Sequence, residues 1–530
     1  MAKILIIGSG PAAAAVAMAV TAAGSDEVDI VDIGEQLEPG KQRLLTDVAA
    51  INPDQWPDAV ARQLTQQPAA EVKGELPQKK MFGSDFPFRD RGQLESFATA
   101  PGGNRWVVSG AFGGFSNAWG AQVMPFSRAT IDQWPVGYDD LLPHYRAVLE
   151  QIPFAGADDD YSELFPLLAD ADPLPPLSPP ATELLGRYRQ RRRYVRRRGV
   201  IVGEARLALR SSPCIECGLC LTGCPYDLIY SASHTIAKLI ESRRVTYTAG
   251  RLAQRVGEDE RGPWAQVLDL ATRQTAQVRA DRIFLACGGL GSTRVVLGSA
   301  RPAVRRLTMA EAVQFVLPFV SLRRQPDPRT YTTFTLNQFN MLVTYGRPGL
   351  DLAQLHLYPY NPAFEDSLPR VARAFPLLQG EILRRTTAAL GYLPSWASPK
   401  LLLDVGVADG DGLPPVSVSS ERNGHTGSVL RRVFQRLLAV APALDLWPVL
   451  PVLSISGPAK SYHFGASLPH VIGAPRPDAM ETDALGRIAE WKRVHIVDGS
   501  VLPSVPATTF TLTVMANAHR IATGATHETA

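Results

Sequence analysis

Four of the five cysteines fall within eleven residues, as Cys214, Cys217, Cys220 and Cys224. The spacing is C-x2-C-x2-C-x3-C-P, the run that wraps a [4Fe–4S] cluster in bacterial ferredoxins. Closely spaced thiolates suit a cubane, whose irons lie close together. Gly218 and Gly223 let such a loop curl and Pro225 turns it away. Zinc is an alternative, as is no metal at all, but structural zinc usually takes two separated C-x2-C knuckles and no second knuckle exists. In two-cluster ferredoxins the fourth cysteine serves the other cluster. With no second run here, Cys224 is expected to serve this one. Cys287 ends an apolar run entering a glycine turn and is expected to be a core thiol.

A second chemistry lies at the N-terminus. Residues 4–7 are apolar and lead directly into Gly8-Ser9-Gly10-Pro11-Ala12-Ala13. An Ala/Val/Met run follows, then a second apolar run, 28–33, containing Asp32. That is strand, glycine turn, helix, strand: the G-x-G-x-x-A form of the dinucleotide fingerprint. Gly8 permits the turn, Gly10 lets a pyrophosphate approach the backbone, and Ala13 lets helix and strand pack closely. The helix N-terminus offers free N–H groups and a positive dipole end. Asp32 stands where a carboxylate would accept ribose hydroxyls. NAD and FAD both satisfy this pattern. A second glycine-rich stretch contains Gly113, Gly114, Ser116 and Asn117 and is expected to cradle the same ligand from another side. Near the C-terminus His463 sits in a glycine-containing turn, and Asp498-Gly499 ends an apolar run.

The elements that must position these residues are those of an ordinary globular chain. The sequence has 530 residues, 45% hydrophobic and 20% charged, with a net charge of +3. That length allows more than one domain, and that charge implies neither nucleic acid nor membrane. No segment approaches the roughly 20 apolar residues of a membrane-spanning helix. The first strand begins too early to leave room for a signal peptide, so a cytoplasmic location is expected; export with a partner subunit stays open.

Residues 41–100 lack periodicity and are expected to run over the surface. Asp139 is expected to cap a helix through Leu141 and Tyr145. Residues 155–180 suggest a loop. Eight arginines between 187 and 198 form either a solvated face or a docking patch for an acidic partner or anionic substrate. Strands are expected over 245–249 and 265–270, flanking the nucleotide sheet, and over 330–336 and 354–360. An amphipathic helix is expected over 428–440.

Taken together, the segments resemble the glucose–methanol–choline (GMC) flavoprotein oxidoreductases. The matching pieces are GSGPAAA at Gly8, VDIG at Val31, GGFSNAWG at Gly113, LACGGLGSTRVVL at Leu285, SYHFG at Ser461 and VDGSVLPSVPATTFTLTVMANA at Val497, in family order. The resemblance implies an α/β fold. A discontinuous Rossmann-like FAD-binding domain (1–45, 100–130, 200–300 and 455–530, with an iron–sulfur loop at 212–226) would join an α+β substrate domain with an antiparallel sheet (46–99, 131–199 and 301–454).

Carried over by position, Gly8, Gly10 and Asp32 would hold the ADP half of FAD. Gly113, Gly114 and Ser116 would line the pyrophosphate–flavin loop, with Asn117 beside them. Asp498 and Gly499 would approach the phosphate and ribityl chain. His463 would be the catalytic histidine. Thr509 aligns with the family's second His or Asn, a departure that puts more of the chemistry on His463. Ala118 aligns with the histidine that links FAD in some relatives, so FAD should be non-covalent. The cysteine loop is similar to the C-x5-C-x3-C-P loop of bacterial FAD-dependent glucose dehydrogenases, which binds [3Fe–4S]. Cys214, Cys220 and Cys224 reproduce that spacing, and Cys217 would complete a [4Fe–4S] set.

The implied activity is oxidation of a CH–OH group in an alcohol or sugar. Hydride would go to flavin N5, with His463 as base. Electrons would pass through the cluster to an external acceptor protein, a cytochrome, ferredoxin or quinone-linked carrier. The alternatives are a ferredoxin-driven reductase working in the opposite direction and a non-redox lyase or isomerase of the same family.

Overall fold

A computed structural model describes residues 2–24, 27–66, 79–95, 97–99, 106–300, 305–361, 365, 375–407 and 414–528. A five-stranded parallel sheet organises the chain. Its order is Val494–Ile496, Arg282–Leu285, Lys3–Ile7, Glu27–Val31, Thr246–Thr248. The central strand, with residues 4–6 fully buried, is a continuous apolar run because both faces are covered. The helix Pro11–Ala22 packs on the C-terminal helix Thr511–His527, and its residues from Ala12 to Thr21 are all buried. A helix that is apolar all round belongs in a core, and its alanines leave room for close approach. The order places the turn after the first strand at the carboxyl end of the sheet's middle, where open α/β sheets bind ligands.

The second large element is a seven-stranded antiparallel sheet. Its path runs Trp447–Pro448, Gln314–Val320, Thr386–Tyr392, Leu352–Tyr358, Phe339–Thr344, Val200–Glu204, with Ser454–Ile455 also on Gln314–Val320. One face carries Phe315, Leu317, Met341, Leu355 and Leu357 into a core shared with the helices Pro179–Arg196 and Thr426–Leu444. The opposite face carries Gln314, Asn340, Gln354, His356 and Tyr392. A smaller five-stranded sheet contains Arg306–Glu311 paired with Phe464–Gly465, which brings the His463 turn to the edge of the large sheet. Strand pairing joins stretches that the sequence divided: Val200–Glu204 pairs with Phe339–Thr344, and Arg306–Glu311 with Phe464–Gly465.

Several local expectations change. The 41–100 stretch contains the helices Pro39–Ala49 and Asp58–Thr65, while its residues 67–78 lie outside the described ones. Residues 331–336 form no strand, because they are drawn across the cysteine loop (below) rather than into a ladder. The strand Gly262–Asp269 lies in a three-stranded antiparallel sheet that flanks the nucleotide sheet, touching it at Arg282–Leu285. The helix Tyr138–Leu149 starts one residue earlier than Asp139: Gly137 is its cap, with the Gly137 N–H donating to Asp140 at 3.0 Å. Asp139 instead pairs with Arg128 at 2.7 Å.

Candidate active site

The nucleotide cradle is built from two glycine turns that face each other. Gly8 has φ +105°, and a Cβ there would lie 2.5 Å from the Ala286 carbonyl oxygen. Gly114 has φ +60°, and its Cβ would lie 3.1 Å from Gly10 Cα. Gly10 caps the helix Pro11–Ala22, and a Cβ on it would meet nothing nearer than 4.0 Å. The bare side of Gly10 therefore faces the Gly114 turn across the helix N-terminus, with room for a Cβ at van der Waals distance, while Ala13 is fully buried behind it.

Asp32 follows the second strand. Its carboxylate accepts hydrogen bonds from Ser9 Oγ and from Tyr247 OH, the latter at 3.2 Å. Burial pushes its pKa up to about 7 against those bonds. Ser9 Oγ also accepts from Gly113 N–H at 2.9 Å, so one hydroxyl ties the acid to the second glycine turn. Ser9 and Tyr247 were not expected from the sequence. Ser9 lay inside the fingerprint, at one of its x positions; Tyr247 gave no local signal.

Ser116 and Asn117 shape the second turn through bonds within the protein. Ser116 Oγ donates to Gly113 O and accepts from Ala232 N–H at 2.9 Å. Asn117 Nδ2 donates to Phe112 O and Gly114 O at 2.9 and 2.8 Å, and its Oδ1 accepts from Ser231 Oγ at 3.3 Å. Asp498 is likewise engaged. It accepts from Ser500 N–H at 3.0 Å, Ser500 Oγ at 2.7 Å and Ser292 Oγ, locking its own turn to the one at 288–292. Gly499 presents its carbonyl to Ala466 N–H at 2.9 Å and lies beside Phe510.

His463 stands next to these turns. Tyr392 stacks on it with 4.5 Å between ring centroids, and Phe510 meets it edge-on at 5.3 Å. Its Nδ1 is buried without a hydrogen-bond partner, and so is Oγ1 of Thr509, the residue before Phe510. Burial lowers the imidazole pKa to about 4, so the ring is neutral near pH 7 and can accept a proton.

The backbone around the histidine is fixed from below. The fully buried Glu311 accepts from Ala459 N–H at 3.0 Å and Ser461 Oγ at 2.9 Å, and Ser461 Oγ accepts from His463 N–H at 3.1 Å. Ala459, Tyr462 and Ala466 all hold left-handed φ values of 56–64°. Such strain persists only where the surroundings over-determine it. Glu311 was missed in the sequence; its one signal was a lone acid at the end of an apolar-alternating strand.

The cysteine loop packs against the cradle. Glu216, Gly218 and Gly223 have φ of 55°, 76° and 116°, which curl the chain as the glycines suggested. The sulfurs are near enough that a thiolate at one would raise the pKa of another. Backbone N–H groups point at the sulfurs: Glu216 at Cys214, Leu219 at Cys217, and Tyr226, Leu228 and Ile229 at Cys224. Thr335 N–H donates to Cys220 Sγ at 3.3 Å, and Thr335 Oγ1 to Gly218 O at 2.8 Å, which explains why residues 331–336 are not a strand. Burial raises Cys217 to about 12 and Cys220 to about 11. All five cysteines are free, and among the described residues no His, Cys, Asp and Glu group is arranged to hold a metal ion.

Phe82 lies against Gly223 and packs with Met81, Ala111 and Ala118. Phe82 thus touches the loop at Gly223 and the apolar cluster that contains Ala111. Cys287 is half-buried rather than a core thiol, with its sulfur 3.6 Å from Ile7 O.

The arginine run is largely a structural face. Arg187 pairs with Glu183, Arg192 with Asp160, Arg196 with Glu163 and Arg189 with Glu204, and Arg198 covers Tyr194. No helix among the described residues is long and apolar enough to cross a membrane.

No family model matches this chain, and no curated protein matches it. Solved structures do. The fold is shared with pyridoxine 4-oxidase from Mesorbium loti, at TM-score 0.60 and 15% identity over all of both chains. It is shared also with an Arg-to-Lys variant of formate oxidase from Aspergillus oryzae RIB40, a substitution affecting FAD modification. That match has TM-score 0.59 and 12% identity, over 99% of this chain and 98% of that one. The chain therefore has the mixed α/β fold of these two oxidases, a Rossmann-type parallel sheet joined to antiparallel sheets, from end to end.

Proposed function

We propose that the chain is an FAD-dependent oxidoreductase of the glucose–methanol–choline type that oxidises a CH–OH group and passes electrons on through an iron–sulfur cluster. The observation that carries the reading is the pairing of a bare glycine cradle with a neutral, half-buried imidazole at His463 whose Nδ1 has no partner.

The residues present fit the dinucleotide. Gly10 leaves room for a Cβ before a helix N-terminus, Gly288 has nothing within 4 Å of its Cβ position, and Asp32 stands at the strand end. Gly8, Gly10, Gly113, Gly114 and Asp32 would hold the ADP half. Ser116, Asn117 and Asp498 would keep the turns in shape. FAD, when bound, supplies the hydride acceptor. His463 takes the substrate's hydroxyl proton on its imidazole as the C–H bond yields its electron pair, so a CH–OH becomes a C=O with one proton left on the protein. Tyr392 and Phe510 fix the ring plane and Glu311 fixes the turn. Thr509 Oγ1 orients the substrate hydroxyl.

A cluster would be held by Cys214, Cys217, Cys220 and Cys224, [4Fe–4S] rather than [3Fe–4S] because Cys217 is present; this reading rests on the C-x2-C-x2-C-x3-C spacing and the N–H donors at the sulfurs, while the described side chains are not gathered into a metal site. Such a cluster supplies one-electron transfer. The contact of Phe82 with Gly223 and with the apolar cluster that contains Ala111 supports a relay to an acceptor protein.

Anaerobic mixing of the flavin-loaded protein with alcohols and sugars tests the proposal: flavin absorbance bleaches with a substrate, and His463→Ala abolishes the bleaching while retaining flavin. Iron analysis gives about four irons per chain. Absence of bleaching across the panel, or bleaching unchanged in His463→Ala, defeats the reading.

A further inference from the structure

The small net charge conceals a separation of charge. Residues 184–203 hold eight arginines and no Asp or Glu, and residues 422–444 hold four arginines and no Asp or Glu. With those twelve set aside, the remaining chain carries nine more acidic than basic residues. The two stretches are far apart in sequence and together in the fold. The helices Pro179–Arg196 and Thr426–Leu444 pack side by side on the apolar face of the seven-stranded sheet, and Tyr194 OH donates to Ala439 O at 3.2 Å.

Some of these arginines are engaged within the protein. Arg187, Arg189, Arg192 and Arg196 meet carboxylates, and Arg198 and Arg432 lie over the rings of Tyr194 and Tyr345. The others are not. Arg191, Arg193, Arg197, Arg431 and Arg436 are exposed, and among the described residues none of them makes an ion pair or a side-chain hydrogen bond. Like charges one helical turn apart repel, as at Arg193 and Arg197, and surfaces ordinarily intersperse the two signs. Here acids are missing from the outward faces of two neighbouring helices. Leu438 and Tyr194, 42% and 40% exposed, lie on the same helices.

We propose that this two-helix layer docks the protein on the surface of a bilayer rich in anionic lipids. Helices of 18 and 19 residues lying side by side on a sheet give a flat face about 27 Å long. Guanidinium groups pair well with lipid phosphates. An exposed leucine and tyrosine suit the boundary between headgroups and acyl chains. The excess of acid elsewhere turns the rest of the chain away from such a surface, so the charge separation orients the molecule as well as attracting it.

An acidic electron carrier is the other occupant this charge could draw, and position argues against it. Tyr392, on the opposite face of the sheet, stacks on His463. A carrier seated on the helices would be separated from His463 by the sheet and by a helix layer about 10–12 Å thick. Docking of the helices on a bilayer instead leaves the His463 side turned away from it. The inference goes beyond the oxidation proposed above and does not depend on it.

Co-sedimentation of the purified full chain with lipid vesicles is the test. At about 0.1 M salt the protein binds vesicles containing about 30 mol% phosphatidylglycerol and ignores pure phosphatidylcholine, and about 0.5 M salt releases it. Replacing Arg191, Arg193 and Arg197 together by Gln lowers the partition coefficient about 100-fold, at about fivefold per arginine. The same three positions changed to Lys retain most of the binding. All three side chains are exposed, so the melting temperature stays at the wild-type value. Arg261→Gln with Arg273→Gln, on exposed turns of the three-stranded sheet, binds like the wild type.

The proposal is overturned if the protein ignores the anionic vesicles at low salt, if phosphatidylcholine alone binds it equally, or if the Gln variant binds as tightly as the wild type. Retention on immobilised poly-L-glutamate by a protein that leaves the vesicles unbound overturns it in favour of an acidic polypeptide.

Discussion

The nucleotide cradle and the polar sheet face are built by opposite means. The cradle works by leaving side chains out. Gly8 and Gly114 are bare because the backbone there turns left-handed and comes close to another backbone. The sheet face keeps polar side chains inside, with Asn340 Nδ2, Gln354 Oε1 and His356 Nε2 buried and unpaired. The first is a demand on backbone geometry, and any added atom breaks it. The second resides in side chains, where substitutions of similar volume keep the fold. Mutations in the cradle should therefore remove flavin and stability together, whereas mutations at His463 should separate activity from both.

The sharpest test of that separation is His463→Ala. Loss of a positioned general base lowers kcat by about 10²–10⁴-fold, while flavin content and melting temperature stay close to wild type. Stopped-flow reduction by substrate reads this directly. A His463→Ala protein that no longer holds flavin would place the histidine in the scaffold instead of the chemistry.

Next in size is Gly8→Ala. The new Cβ would fall 2.5 Å from the Ala286 carbonyl oxygen at φ +105°, where only glycine is at ease. Strain and overpacking together cost about 2–4 kcal/mol, and flavin content falls in step with the melting temperature. A Gly8→Ala protein of wild-type stability would show that the two strands separate more easily than their packing indicates.

This contrast also explains what the sequence could disclose. The glycine fingerprint, the second glycine turn and the cysteine loop are local. Their spacing is set by a backbone that must turn within a few residues, so they are visible without a fold. The polar face is assembled from residues 314, 340, 354, 356 and 392, on four strands. Within one strand the pattern is ordinary: Ala353, Leu355 and Leu357 alternate with Gln354, His356 and Tyr358. Period-two alternation normally marks a half-exposed strand. Here all seven residues from Leu352 to Tyr358 are buried, and on the polar side Met124 meets Gln354 and Tyr392 meets His356. Glu311 escaped notice for the same reason, since its partners lie about 150 residues away. Ser116, Asn117 and Asp498 were legible as positions, but their bonds to Ala232, Ser231 and Ser292 were not.

Acid should probe both regions at once. Burial lowers His356 and His470 to about 3 and His495 to about 4, against about 6.5 in the unfolded chain. Between these limits the unfolded state binds more protons than the folded one, so stability falls as pH drops below about 6.5. The loss reaches about 1.4 kcal/mol per pH unit for each such histidine and ends below the folded values. Denaturant titrations at pH 7.5, 6 and 5 measure the slope. Replacing His470, which bonds Asp483 O at 2.6 Å and Asn517 at 3.1 Å, with Gln removes one proton from it. A stability that is flat from pH 7.5 to 5 would mean that these rings are already charged in the fold.

The smallest expected effect separates shaping from binding inside the cradle itself. Ser116→Ala leaves Ala232 N–H without its acceptor and Gly113 O without its donor, both within the protein. One buried hydrogen bond of this kind is worth about 0.5–1.5 kcal/mol. Melting temperature should drop by an amount matching that loss, and flavin affinity should weaken only as far as the turn loosens. The converse pattern, affinity down by more than about tenfold with stability unchanged, would mean that Ser116 gives its hydroxyl to the ligand. The second glycine turn would then recognise by its side chains, and the division between bare backbone and polar side chain would run through the cradle instead of around it.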